Sequence, residues 1–129
     1  MTQTKAQALG ALGERIAERW LARDGWQVVD RRWRSGRRDI DLVAIRGNVV
    51  AFVEVKTRRS TWSGQPVEAV NWRKQRELTR SAQTWIDRRG VLMMPEGAVF
   101  RFDVVGIVAN PERIAVRHVA AAFPAFSTQ

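Results

Sequence analysis

Residues 38 to 58, Arg-Asp-Ile-Asp-Leu-Val-Ala-Ile-Arg-Gly-Asn-Val-Val-Ala-Phe-Val-Glu-Val-Lys-Thr-Arg, read as two strands joined by a tight turn. Val, Ile and Phe dominate both arms, and Gly47-Asn48 can supply the positive φ that a primed hairpin turn demands. With those two residues as the loop, Arg46 pairs with Val49 and Ala44 with Ala51, so Asp41 falls opposite Glu54 and Asp39 opposite Lys56. The period of two sets these four polar residues on one face, where directly opposed Cβ atoms lie about 4.5 to 5.5 Å apart. Two carboxylates at that spacing suit a divalent cation. Ile40, Leu42, Ala44, Val49, Ala51, Val53 and Val55 share one apolar face, and Val43, Ile45, Val50 and Phe52 the other. Both sides of the hairpin are therefore expected to be buried, at the centre of a sheet. Charges beside such a core are costly unless paired or metal-bound. The same spacing also allows an Asp39–Lys56 ion pair with Asp41 and Glu54 at the exposed sheet end, and the residues alone leave both readings open.

A chain of 129 residues suits one domain, and no repeat, low-complexity segment or linker divides it. Its 22 Lys and Arg against 13 Asp and Glu give a net charge of +9, which favours a polyanionic partner. Lys5, Lys56 and Lys74 are the lysines; arginine, suited to bidentate phosphate recognition, supplies the rest. With 45% hydrophobic residues the chain is expected to fold rather than form a basic tail. The absence of cysteine excludes disulfides, thiolate metal sites and thiol catalysis, and a single histidine, His118, excludes a zinc site of several imidazoles. The opening residues lack the apolar run of a secretory signal, and no segment is long enough to span a bilayer, so a cytoplasmic protein is expected.

A first helix is expected over about Thr4 to Asp24, with Leu9, Leu12, Ile16 and Trp20 as its buried stripe and Gly25 ending it. Gly10 and Gly13 each cost a helix about 1 kcal/mol relative to alanine, so the pair signals close packing against another element. Glu14 lies off the apolar stripe, and periodicity alone places it in solvent. A strand from Trp26 runs into Arg31, Arg32, Arg34, Arg37 and Arg38 around Trp33, a basic loop suited to phosphates and an unpaired base, or merely solvated. Past Lys56 a polar loop carries Arg58, Arg59 and Trp62, where a nucleic-acid strand could be gripped.

Pro66 then opens a second helix to about Arg89, closed by Gly90, with Val67, Val70, Leu78, Ala82, Trp85 and Ile86 inward and Arg73, Arg76, Arg80 and Arg88 outward. Lys74 lies between the two sides. Strands follow at about Val99 to Val108 and Arg113 to Val119, and residues 120–129 read as an irregular tail. A long helix between the third and fourth strands implies a crossover to a parallel neighbour. The expected fold is α/β, a mixed sheet of four or five strands flanked by helices.

Asp41 followed by Glu54-Val55-Lys56 resembles the Asp…Glu-x-Lys signature of the restriction-endonuclease-like nuclease superfamily. More closely, the chain is similar to the YraN family of predicted endonucleases, itself distantly similar to archaeal Holliday-junction resolvases. The resemblance is carried by Gly10-Ala-Leu-Gly-Glu14 with Ala17 and Leu21, Gly25-Trp26, Asp39-Ile-Asp-Leu-Val-Ala44, Phe52-Val-Glu-Val-Lys-Thr-Arg58, Lys74, Ala82 and Arg101-Phe-Asp-Val-Val105. Where that family usually has Gly-Glu-Ile-Asp, this chain has Arg38-Asp39-Ile40-Asp41. The resemblance implies a restriction-endonuclease-like core and Mg²⁺- or Mn²⁺-dependent hydrolysis of phosphodiester bonds in DNA, with a lean towards branched or damaged DNA and a homodimer. By it, Asp41, Glu54 and Glu14 would hold metal, and Lys56 would orient the attacking water and offset charge in the transition state. Arg31, Arg34, Arg37, Arg38, Arg58, Arg59, Trp62 and Lys74 would contact nucleic acid. Two other readings are a nucleic-acid-binding module of the same fold without cleavage, and a structural protein whose acidic cluster is an ion-pair network.

Overall fold

Five strands form one mixed sheet in the order β1-β2-β3-β4-β5, and the computed structural model describes residues 2–35, 38–60 and 64–124. The elements in chain order are α1 (Lys5–Arg23), β1 (Gln27–Ser35), β2 (Arg38–Arg46), β3 (Val49–Arg58), α2 (Trp72–Trp85), α3 (Val91–Met93), β4 (Val99–Asn110) and β5 (Arg113–Phe123). The hairpin has the register expected from its turn: Arg46 pairs with Val49 and Leu42 with Val53, antiparallel. Gly47 adopts φ 60 in the turn, the conformation that a first-position glycine makes cheap. β4 pairs parallel to β3, as the intervening helix requires, while β1 and β5 run antiparallel to their neighbours. The chain thus has the architecture of a restriction-endonuclease-like core.

The sheet separates two apolar layers. On one face Val43, Val50, Phe52, Phe102 and Val104 pack with α2 through Leu78, Ala82 and Trp85. Phe52 meets Trp85 edge-on at 5.7 Å and Phe102 stacks on Phe123 at 4.7 Å. On the other face Leu42, Ala44, Ala51, Val53, Val105 and Ile107 pack with Ala17 and Leu21 of α1. One member of the expected partition changes sides: Ile40 joins Val43 and Phe52, not Leu42 and Ala44. The alternation of β2 is therefore broken between Ile40 and Leu42, where the side chain of Asp41 takes a backbone hydrogen bond.

Several boundaries differ from the sequence reading. α1 is closed at its start by a capping box, Thr4 Oγ1 accepting from Gln7 N at 3.0 Å and Gln7 Oε1 from Thr4 N at 2.9 Å. It buries Gly13, Ala17 and Leu21, however, leaving Leu12 and Trp20 exposed. The helix lies so close to β3 that a Cβ on Gly13 would meet Thr57 Oγ1 at 1.8 Å. Proximity of backbones, not apolarity, chose the buried face. β1 continues through Arg31, Arg32 and Arg34 instead of forming a loop, with Arg31 paired to Leu42 and Arg34 to Asp39 of β2. The helix expected from Pro66 is divided: a 3₁₀ turn over Pro66–Ala69 precedes α2, which starts after an Asn71 cap whose side chain accepts from Lys74 N at 3.0 Å. Gly90 does not close it, because a π turn over Ile86–Gly90 passes directly into α3. The expected irregular tail is also corrected in part, since β5 runs on to Phe123, buried against Phe102.

Candidate active site

The main-chain ladder between β2 and β3 stops at Leu42–Val53. Beyond it the Asp41 carboxylate substitutes for backbone, its Oδ2 accepting the Val55 N–H at 2.8 Å. The strands part there, and Asp39, Asp41, Glu54 and Lys56 line a cleft of about 370 Å³ roofed by Gly10 and Glu14 of α1. The hairpin register predicted this convergence. Glu14 was not placed there by periodicity. With Gly13 pressed on Thr57, the flank carrying Gly10 and Glu14 turns towards the cleft.

Burial, followed by the hydrogen bond and charge of Glu54, holds the Asp41 carboxyl well above the usual carboxylate range, with the Val55 N–H opposing. Lys56 Nζ stands 3.5 Å from Glu54 Oε2, and Glu54 is buried. The expected alternative, an Asp39–Lys56 ion pair, is replaced by other partners: Asp39 meets Arg34 at 3.2 Å, and Lys56 meets Glu54. A carboxyl pair strained by its own charge suits a cation rather than a saturated ion-pair network. Two such hard-oxygen ligands fit Mg²⁺ or Mn²⁺, ions that retain several waters when few protein groups hold them. Among the described residues no three carboxylate or imidazole groups stand close enough to hold an ion together. Glu14 is kept apart by Arg32, whose Nε donates to its Oε1 at 2.9 Å.

The residues expected to grip nucleic acid are dispersed. Arg31 makes a two-pronged contact with Glu18, its Nε donating to Oε1 at 2.7 Å. Arg34 is paired with Asp39. Arg58 and Arg59 are exposed at and just past the end of β3. Lys74 donates to Ala69 O at 3.2 Å and lies on α2, on the opposite layer. Arg37 and Trp62, with the side chain of Arg38, lie outside the described residues. Trp33 is not presented for base stacking, because its indole Nε1 donates to Ser81 O of α2 at 3.2 Å. Sequence reading missed the role of Arg32, visible only as one arginine in a run.

A second polar cluster lies away from the cleft. Asp103, fully buried on β4, accepts two hydrogen bonds from Arg101 at 3.0 Å each and one from Ala121 N at 3.0 Å, and contacts His118 Nε2 at 2.7 Å. Burial would raise its carboxyl, but the bonds from His118, Arg101 and Ala121 outweigh it and hold the group below its ordinary value. Ala121 has φ 49, so the cluster clamps the irregular end of β5 and gives His118 a structural task.

Comparison with known proteins agrees with the motifs. Residues 13–107 match the family described as "Uncharacterised protein family UPF0102". The chain is 42% identical over 108 residues to a UPF0102 protein of Alkaliphilus metalliredigens, covering 84% of this chain and 91% of that one. It is 42% identical over 117 residues to a UPF0102 protein of Rhodococcus jostii (90% and 96%) and 43% identical over 116 residues to one of Bifidobacterium longum (88% and 91%). The chain belongs to the UPF0102 family, the family reached above as YraN.

Proposed function

We propose that this member of the UPF0102 family is a metal-dependent endonuclease that hydrolyses phosphodiester bonds in DNA, with branched or damaged DNA as its substrate class. The observation that carries the reading is the convergence of Asp41, Glu54 and Lys56 on one open cleft. Asp41 and Glu54 would hold Mg²⁺ or Mn²⁺, which supplies charge neutralisation and polarisation of a phosphodiester oxygen when bound. Lys56 orients a water for attack on phosphorus and stabilises the extra negative charge of the pentavalent transition state. The new P–O bond forms as the opposite one breaks; the attacking water gives its proton to solvent water and the departing oxygen takes one from it. The net charge of +9 draws the polyanion to the protein. Pairing of two copies would present two sites to a branched molecule; light scattering with and without DNA checks it.

The test is cleavage of duplex, single-stranded, flap and four-way-junction DNA with Mg²⁺ or Mn²⁺. Lys56→Ala is expected to abolish turnover while DNA affinity stays within about twofold, because the amine acts on the transition state. Asp41→Asn is expected to weaken metal binding, with partial recovery at high Mn²⁺ that Lys56→Ala does not show. Tight, salt-sensitive DNA binding without metal-dependent cleavage of any substrate would favour the binding-module reading instead.

A further inference from the structure

We propose that Arg32 is a displaceable counter-cation for Glu14: its guanidinium holds that carboxylate in the metal-free protein and passes to a nucleic-acid phosphate when Glu14 turns to a divalent cation. The proposal rests on the metal-dependent reading above and adds to it a positioning residue with two successive partners.

The backbone supplies the first argument. Arg32 has φ 49 within β1, a conformation that is strained for a non-glycine residue and concentrates at functional sites. The strain has a visible result. Arg31 reaches Glu18 and Arg32 reaches Glu14, both on α1, while Trp33 turns to α2. An unbroken strand sends successive side chains to opposite faces, so the left-handed residue is what aims two adjacent arginines at one helix.

The two pairs differ in kind. Arg31 grips Glu18 through two nitrogens and ties β1 to α1. Arg32 makes a single Nε contact of 2.9 Å from a side chain 61% exposed, and a pair that open to water contributes little and exchanges readily. Glu14 borders the cleft of Glu54 and Lys56, and also an adjoining groove of about 700 Å³ where Arg32 stands with Asp39 and Asp41. A cation drawn to Glu14 therefore releases a guanidinium beside the reacting centre, where its planar fork matches phosphate oxygens.

The experiment uses the full chain with Arg32→Gly, Arg32→Lys, Glu14→Gln and Arg32→Gly/Glu14→Gln. Glycine accepts φ 49 without strain, so Arg32→Gly removes the guanidinium without a folding penalty from the backbone. Calorimetric Mn²⁺ affinity without DNA is expected to rise roughly two- to fivefold in Arg32→Gly. Cleavage is expected to fall roughly tenfold or more. These opposite signs are not produced by a merely structural role. In the Glu14→Gln background Arg32→Gly should leave Mn²⁺ affinity unchanged, and Arg32→Lys should retain part of the cleavage. Unchanged or weaker Mn²⁺ binding by Arg32→Gly, with wild-type binding that Asp41→Asn weakens, would overturn the proposal while leaving the metal site standing. A wild type that binds no Mn²⁺ would refute the metal site, and this proposal with it.

Discussion

Asp41 is both a main-chain surrogate, through its bond to Val55 N, and a carboxyl forced against Glu54. Its folded pKa is raised, so its contribution to stability is complete below the unfolded value of about 4 and is lost as pH climbs through the folded value. The metal-free protein should therefore lose stability on leaving the acid range. Asp41→Asn keeps an oxygen for Val55 N–H but has no charge to repel Glu54. Its melting temperature at pH 8 without metal should exceed that of wild type, with a flatter pH dependence. Mg²⁺ should stabilise wild type more at pH 8 than at pH 5, because the Asp41 carboxyl, with its raised pKa, must first lose its proton, and should stabilise Asp41→Asn less. A lower melting temperature for Asp41→Asn with no Mg²⁺ shift in wild type would mean a structural ion-pair site. Asp103 has the opposite sign: its lowered pKa gives stability present above the unfolded value and lost as pH falls through the folded one.

At the scale of elements, α1 carries two glycines with opposite explanations. A methyl on Gly13 would stand 2.8 Å from Thr57 Cβ as well as against its Oγ1, so rotating the threonine does not make room and α1 must lift off β3. Gly13→Ala should destabilise the protein by about 1–3 kcal/mol, despite the gain of about 1 kcal/mol that helix propensity alone would give. Around Gly10 nothing lies within 4 Å of such a methyl. Gly10→Ala should therefore gain about 1 kcal/mol. Because Gly10 roofs the cleft, the same change should slow cleavage; urea denaturation and the cleavage assay check the pair. Helix periodicity exposed the existence of α1 but not its buried side. It measures where apolar residues recur, whereas the absence of side chains at Gly13 and the small one at Ala17 allowed the approach.

For the whole molecule, much of the apparent basic surface is neutralised. Arg31, Arg32, Arg34, Arg46, Arg89 and Arg101 each stand against a carboxylate: Glu18, Glu14, Asp39, Asp24, Asp30 and Asp103 respectively. The excess of +9 is therefore felt elsewhere, and the exposed Arg73, Arg76 and Arg80 recur along one side of α2, with Arg76 over the exposed Trp72 ring at 4.6 Å. Converting those three to glutamate should weaken DNA binding and lower the slope of log affinity against log salt by about three. Arg31→Ala/Arg34→Ala should change that slope less; anisotropy titrations over a salt series decide between them. The sequence by itself determined the hairpin register, the parallel crossover, all but one member of the two core faces on the hairpin, and the meeting of Asp41 with Glu54. Turn chemistry and the period of two act between near neighbours. Only the tertiary structure decided which side of α1 is buried, that Glu14 enters the cleft, that Arg32 reaches it, and that β5 extends to Phe123. Each depends on how closely two elements far apart in the chain can approach, a distance set by packing, and no local pattern of residues encodes it.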